Sequence, residues 1–411
     1  MRPSAALLTG SALVGGIATG LVAESEVPYS RRMLDSIKLR RQGIVSSGAV
    51  TSTLESGLLG LAMEALAAQY PNSSAHASDA AFRAAVLDGI SGPFAGNATW
   101  AATQPLDRFS LARSVEQATA AGVDVSDAVR AAYTAINDSL ALQTRNPDGG
   151  LWYYVYPQWS YLDGMFSLLP FMAKAARRNE TDMELQMDLL QAHCATATND
   201  SFLVHGYDWS RTAVWADAVT GASPFVWGRS LGWFVAAMVE TYDVLGCSSE
   251  HCHASGKLCS RIRSLATDIS TSLVDYADPA SGAWWQLTAL PGSPGNYLES
   301  SSTALFIFSL LKGRRIGLLP PGAPNYGKTA LKAYNYTLGN FVTDVGRGNG
   351  TIGFDKTVAV NSLNSTASYD YYINRPIFPN SLLGEGAFIL ASLEVERLPC
   401  RQPSCSGVGH P

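Results

Sequence analysis

Residues 205–233, HGYDWSRTAVWADAVTGASPFVWGRSLGW, bring His205, Asp208, Arg211, Asp217 and Arg229 together with four of the nine tryptophans, Trp209, Trp215, Trp227 and Trp233. Histidine moves protons near neutral pH, and arginine grips a carboxylate at two points. An indole offers a flat apolar face with one donor. Such a set can wall a cup for a polar ring that carries an acid. The competing reading is a polar loop whose tryptophans fold back into the core. Two further acids stand out, Asp107 in PLDRF and Asp163 in SYLDGMF. Each falls at the start of a predicted helix, where an aspartate is often only a cap. Ser160, three residues before Asp163, resembles half a capping box. Two such acids converging on one mouth beside Trp and His favour proton chemistry over capping.

Apolar residues recur at helical spacing along most of the chain. The clearest stretch is 52–70, with Leu54, Leu58, Leu61, Ala62, Leu66 and Tyr70 along one side. The pattern predicts twelve helices, near 28–43, 52–70, 78–90, 104–120, 125–144, 161–178, 182–197, 228–245, 259–276, 299–312, 325–344 and 381–396. Segments 145–158 and 345–378, with Gly, Pro, Asn and Tyr, read as loops or short hairpins. Short connections make successive helices antiparallel neighbours. Twelve helices in six hairpins predict an all-α fold, a closed (α/α)6 toroid in one domain over 24–399. The even-numbered helices are Gly/Ala-rich and poor in charge, as helices buried on both sides must be. They are expected to form the inner ring. Their N-termini then meet at one mouth, together with Asp107, Asp163, Trp227, Arg229, Trp233, Glu299, Asn380 and Glu385. Converging helix N-termini attract anions, so the mouth suits an acidic sugar whose carboxylate Arg229 or Arg211 could pair.

Met1 and Arg2 precede an uncharged run from Ala5 to Ala23, the pattern of a secretory signal peptide over 1–23. Interior Gly, Ser and Thr argue against a membrane anchor. Eight Asn-x-Ser/Thr sequons follow, at Asn72, Asn97, Asn137, Asn179, Asn199, Asn335, Asn349 and Asn364. Secretion and N-glycans are therefore expected, with no membrane attachment after cleavage. Of six cysteines, Cys400 and Cys405 bracket a tail loop over 400–411 that a disulfide could close. The pairing of Cys194, Cys247, Cys252 and Cys259 stays open. His251 and His253 flank Cys252, yet in an oxidising compartment a disulfide outranks a zinc site there. No convincing metal-ligand cluster appears, and no metal or cofactor is expected. A net charge of −5 argues against nucleic acid as a partner.

Several runs together resemble glycoside hydrolase family 105, the unsaturated rhamnogalacturonyl hydrolases, and the related family 88 unsaturated glucuronyl hydrolases. They are PLDRF (105–109), NPDGGLWYY (146–154), YLDGMFSLLPF (161–171), HGYD (205–208), TGASPFVWGRSLGW (220–233), YLESSSTALFIFSLLKGRRIGLL (297–319) and GEGAFILASLE (384–394). The resemblance implies a six-hairpin barrel. It implies that Asp163 is the catalytic acid/base and Asp107 its partner carboxylate. It also implies that His205, Trp227, Arg229 and Trp233 bind substrate. The chain departs in Phe166, where Tyr is common after LDGM, and in the length of 345–378.

The implied substrate is an oligosaccharide left by a polysaccharide lyase, whose terminal uronic acid carries a C-4/C-5 double bond. Protonation at C-4 gives an oxocarbenium-like cation, water adds at C-5, and the hemiketal opens to release the next sugar. One acid can protonate carbon and then, as a base, take the proton of water. Asp163 must then rest protonated. The helix N-terminus and Arg229 oppose that, whereas burial and the nearby Asp107 favour it. His205 is an alternative proton donor, or a hydrogen-bonded wall. A polysaccharide lyase using Tyr153, Tyr154 or Tyr207 is a second reading, and a non-catalytic acidic-sugar-binding protein a third.

Overall fold

The computed structural model describes residues 27–399 apart from 50, 177, 199, 249–255, 323 and 346–349. The expected signal peptide and the Cys400–Cys405 loop lie outside the described residues, as does Cys252 with its flanking histidines.

Six helices close an inner ring, each packed on the next: α2 (Thr53–Gln69), α5 (Arg108–Ala120), α7 (Gly164–Lys174), α9 (Gly228–Val244), α11 (Ser300–Arg315) and α14 (Leu382–Glu396), with α14 returning to α2. Six more form the outer wall: α1 (Tyr29–Leu39), α3 (His76–Ser91), α6 (Asp127–Ser139), α8 (Glu180–Cys194), α10 (Gly256–Asp275) and α12 (Tyr326–Asn340). These are the twelve predicted helices, and the inner ones are the even-numbered set. Two short helices, α4 (Ala98–Ala102) and α13 (Tyr369–Ile373), are additional.

Composition explains the sorting. In α9 every residue from Gly228 to Tyr242 is buried, and in α14 every residue from Leu382 to Glu394. The outer α6 buries only Val129, Ala132, Ala135, Ile136 and Ser139, a single stripe at helical spacing. Several helix starts are closed locally. Ser52 and Glu55 form a reciprocal capping box on α2, and Ser126, Asn179, Asn325 and Glu299 cap α6, α8, α12 and α11. Neighbouring inner helices touch at their N-termini. A Cβ on Gly164 would lie 2.9 Å from a Leu106 methyl carbon, so the glycine lets the starts of α5 and α7 approach. That approach places the two aspartates side by side.

Within α7, Pro170 has no N–H for the carbonyl of Phe166, four residues back. Arg113 of α5 takes over, donating Nη1 to that oxygen at 3.0 Å. The same guanidinium reaches Glu240 of α9 at 3.1 Å, and Lys312 of α11 reaches Glu240 at 2.6 Å. A buried charge network thus crosses three inner helices. On the outside, a disulfide joins Cys247 to Cys259, while Cys194 is buried and unbridged. The six described sequon asparagines, at 72, 97, 137, 179, 335 and 364, are all exposed.

Three two-stranded antiparallel ribbons decorate the ring: β1 (Trp159–Tyr161) with β2 (Gly206–Asp208), β3 (Val342–Asp344) with β4 (Ile352–Phe354), and β5 (Thr357–Val358) with β6 (Ile377–Phe378). The segment from β5 through α13 to β6 lies over the mouth. There Val358, Leu363, Ala367 and Tyr372 form a second, small apolar cluster with Tyr161, Trp215, Trp227 and Leu287.

Candidate active site

Asp107 and Asp163 occupy the N-cap positions of α5 and α7, yet neither side chain caps its helix. Ser160 donates to the Leu151 carbonyl and takes no part in capping α7. Both carboxylates are therefore available to other partners. Asp163 Oδ2 accepts a hydrogen bond from Ser230 Oγ at 2.5 Å. Asp107 Oδ2 accepts from the Tyr153 hydroxyl at 2.6 Å, and its Oδ1 is buried without a partner. Burial pushes Asp107 up to about 7, and the Asp163 charge adds to that against the Tyr153 hydrogen bond. A carboxyl that keeps its proton near neutrality thus sits beside a second one.

His205 follows from the β1–β2 ribbon. Leu162 N donates to the His205 carbonyl at 3.1 Å, which sets the imidazole opposite the start of α7. The ring is fully buried, with Nε2 3.2 Å from Asp163 Oδ2 and Nδ1 2.8 Å from the Tyr372 hydroxyl. The Nε2 contact is close but lacks hydrogen-bond alignment. Trp227 lies 4.8 Å from the imidazole, centroid to centroid, and donates its Nε1–H to Gln286. Arg229 stacks on Trp227 at 4.8 Å. Its guanidinium donates to the carbonyls of Val358 at 2.6 Å and Ala359 at 2.8 Å, and to Ser301 at 3.3 Å. It is bonded to the segment over the mouth, in the place where a substrate carboxylate was expected. Tyr153 and Tyr161 stack at 4.4 Å and close the wall on the Asp107 side.

Asp107, Asp163, His205, Trp227 and Arg229 therefore converge. Two of the predicted substrate contacts do not. Trp233 is buried against Phe166 at 4.8 Å, inside the packing of α7 on α9. It lies on the same side of α9 as Arg229 but one turn, roughly 6 Å, deeper. Arg211 is exposed at φ +59°, on a loop that the buried Asp208 organises by accepting from the backbone N–H groups of Ser210, Thr212 and Ala213. Trp215 is buried and donates to the Leu363 carbonyl, so only Trp209 of the four tryptophans keeps substantial exposure. Sequence reading missed Ser230 and Tyr372. Ser230 follows Arg229 directly in the Trp-Gly-Arg-Ser run, whereas Tyr372 lies 167 residues from its partner. A surface cavity of about 380 Å³, lined by Asp275, Tyr276, Asp278, Trp285 and Pro291 among others, opens elsewhere and includes neither carboxylate.

The sequence profile of glycosyl hydrolase family 88 matches residues 122–399. The chain belongs to that family. Protein Atu3128 of Agrobacterium fabrum is 31% identical over 210 residues, covering 48% of this chain and 84% of the relative. A family 105 glycoside hydrolase from C. acetobutylicum superimposes with a TM-score of 0.75 at 25% identity, covering 90% of this chain and all of that one. An unsaturated glucuronyl hydrolase from Bacillus sp. GL1 superimposes with a TM-score of 0.58 at 14% identity, over 84% and 87% of the two chains. This family 88 chain is a glycoside hydrolase. Asp163, His205, Trp227 and Arg229 lie within the matched stretch, and Asp107 precedes it.

Proposed function

We propose that the chain removes a terminal 4,5-unsaturated uronic acid from oligosaccharides such as unsaturated rhamnogalacturonan disaccharide, by hydrating the enol-ether bond. The observation that carries this reading is the pair of uncapped aspartates, one of them holding a proton up to about pH 7. An olefinic carbon is a weak base, and its protonation needs a neutral carboxylic acid at close range. A pair that resists double ionisation supplies one. Asp163 delivers the proton to C-4 and, as carboxylate, then takes one from the water that adds at C-5. Asp107 holds the shared proton at rest and hands it to Asp163 for that delivery. Trp227 supplies an apolar wall, and the start of α9 beside Arg229 offers a positive field to the uronate. Secretion fits this substrate, since such fragments arise outside the cell, and the exposed sequons suit a glycosylated protein.

The test is ultraviolet absorbance. Incubation with unsaturated rhamnogalacturonan disaccharide is expected to abolish the absorbance of the conjugated double bond. Appearance of new absorbance on intact pectin would assign lyase chemistry, and no change on either substrate would end the proposal.

A further inference from the structure

The segment over the mouth brings one group into the site whose effect on the chemistry is specific. Its anchors are numerous: Arg229 to the carbonyls of Val358 and Ala359, Val358 N to Glu299 Oε1 at 3.0 Å, and Gln286 Nε2 to the Tyr372 carbonyl at 3.2 Å. They hold α13 so that the Tyr372 hydroxyl meets His205 Nδ1 at 2.8 Å. Among the described residues, Nδ1 is the one hydrogen-bond partner of that hydroxyl. Tyr372 is fully buried. Burial, then the charges of Tyr371 and Asp163, hold its phenol well above the ordinary range, so it keeps its proton at any working pH.

A phenol has one proton, and a buried O–H without an acceptor is costly. The hydroxyl must therefore donate to Nδ1. A nitrogen that accepts carries no proton, so the imidazole's own proton sits on Nε2, which faces Asp163 Oδ2 at 3.2 Å. We propose that Tyr372 is a positioning residue that locks His205 as the neutral Nε2–H tautomer. His205 thereby turns an N–H dipole toward Asp163, 3.2 Å from Oδ2 though not aligned as a hydrogen bond, and is neither a rival acid nor a second base. Ser230 donates to the same oxygen, and with the Nε2–H dipole beside it favours the carboxylate that forms when Asp163 gives up its proton. The charged and titratable groups around the imidazole are Asp163 on α7, Tyr161 on β1, Tyr371 and Tyr372 on α13, and Arg229 behind Trp227 on α9.

The proposal rests on Asp163 acting as the proton donor, but its test does not need turnover. Nitrogen NMR of the full chain labelled at histidine, with the signal assigned by its loss in His205→Gln, reads the tautomer without substrate. The wild type is expected to show protonated Nε2 and bare Nδ1. Tyr372→Phe should free the imidazole to populate the Nδ1–H tautomer as well, and should lower kcat about 10-fold with KM within about 2-fold. A wild-type proton on Nδ1 overturns the proposal, even if the variant fails to fold. So does a Tyr372→Phe protein that keeps the wild-type tautomer and the wild-type kcat. An inactive wild type with the expected spectrum would sink the proposed function and leave the pairing standing.

Discussion

Asp107 and Glu240 are both acids on the inner ring, and the protein treats them in opposite ways. Burial acts on each to favour the neutral form. At Glu240 the charges of Lys312 and Arg113 overcome it and hold the carboxyl below its usual range. At Asp107 only a phenol donates, a second carboxylate stands nearby, and the group rises to about 7. The difference is the company each acid keeps. Paired with two cations a buried acid is a strut, and paired with another acid it is a proton store.

Changing the chemical partner should break the contrast most sharply. Asp163→Asn is expected to lower kcat about 10³-fold, near 4 kcal/mol, with an unchanged unfolding midpoint, checked by absorbance decay and urea titration. Glu240→Gln leaves Arg113 and Lys312 buried against a neutral amide. It should cost about 3 kcal/mol of stability in the same urea titration. Gly164→Ala pushes a methyl toward Leu106 and separates the aspartates, for a loss of about 2 kcal/mol in stability together with reduced turnover.

The pH dependence sharpens the comparison. The folded Asp107 binds its proton more tightly than the unfolded chain does. Its contribution to stability is present below about pH 4 and is lost as pH rises through about 7. Glu240, held down, contributes above its unfolded value and loses that contribution as pH falls further. Asp107→Asn should therefore gain about 4 kcal/mol on the wild type between pH 4 and pH 8, while activity falls. A constant difference across that range would refute the assignment. Glu385, also pushed to about 7 by burial, titrates in both proteins and cancels. The smallest effect is expected at Arg211→Ala, within about 0.5 kcal/mol in stability and 2-fold in KM, because that side chain faces solvent.

Much of this was legible beforehand, for physical reasons. A helix buried on all sides has room for few charges, each of them paired, so the Gly/Ala-rich segments marked the inner ring. The two short helices, five residues each, are below the length at which periodicity registers. The aspartates announced themselves by falling at helix starts, although only the coordinates show that they leave capping undone. Trp233 was misjudged in depth. Spacing gives its side of α9 but not how far below the mouth it sits. Arg211 was misjudged because the turn around Asp208 aims it outward. Tyr372 gave no signal at all, since nothing local ties a tyrosine in a long loop to a histidine at 205.

Pro170 ties the two acids together. By withholding one amide it hands the Phe166 oxygen to Arg113, the cation that also grips Glu240. Phe166 stands three residues from Asp163, in the opening turn of the same helix. The acid-holding strut and the proton store are thus bolted to a common beam, and a missing hydrogen atom in mid-helix is the fastening between them.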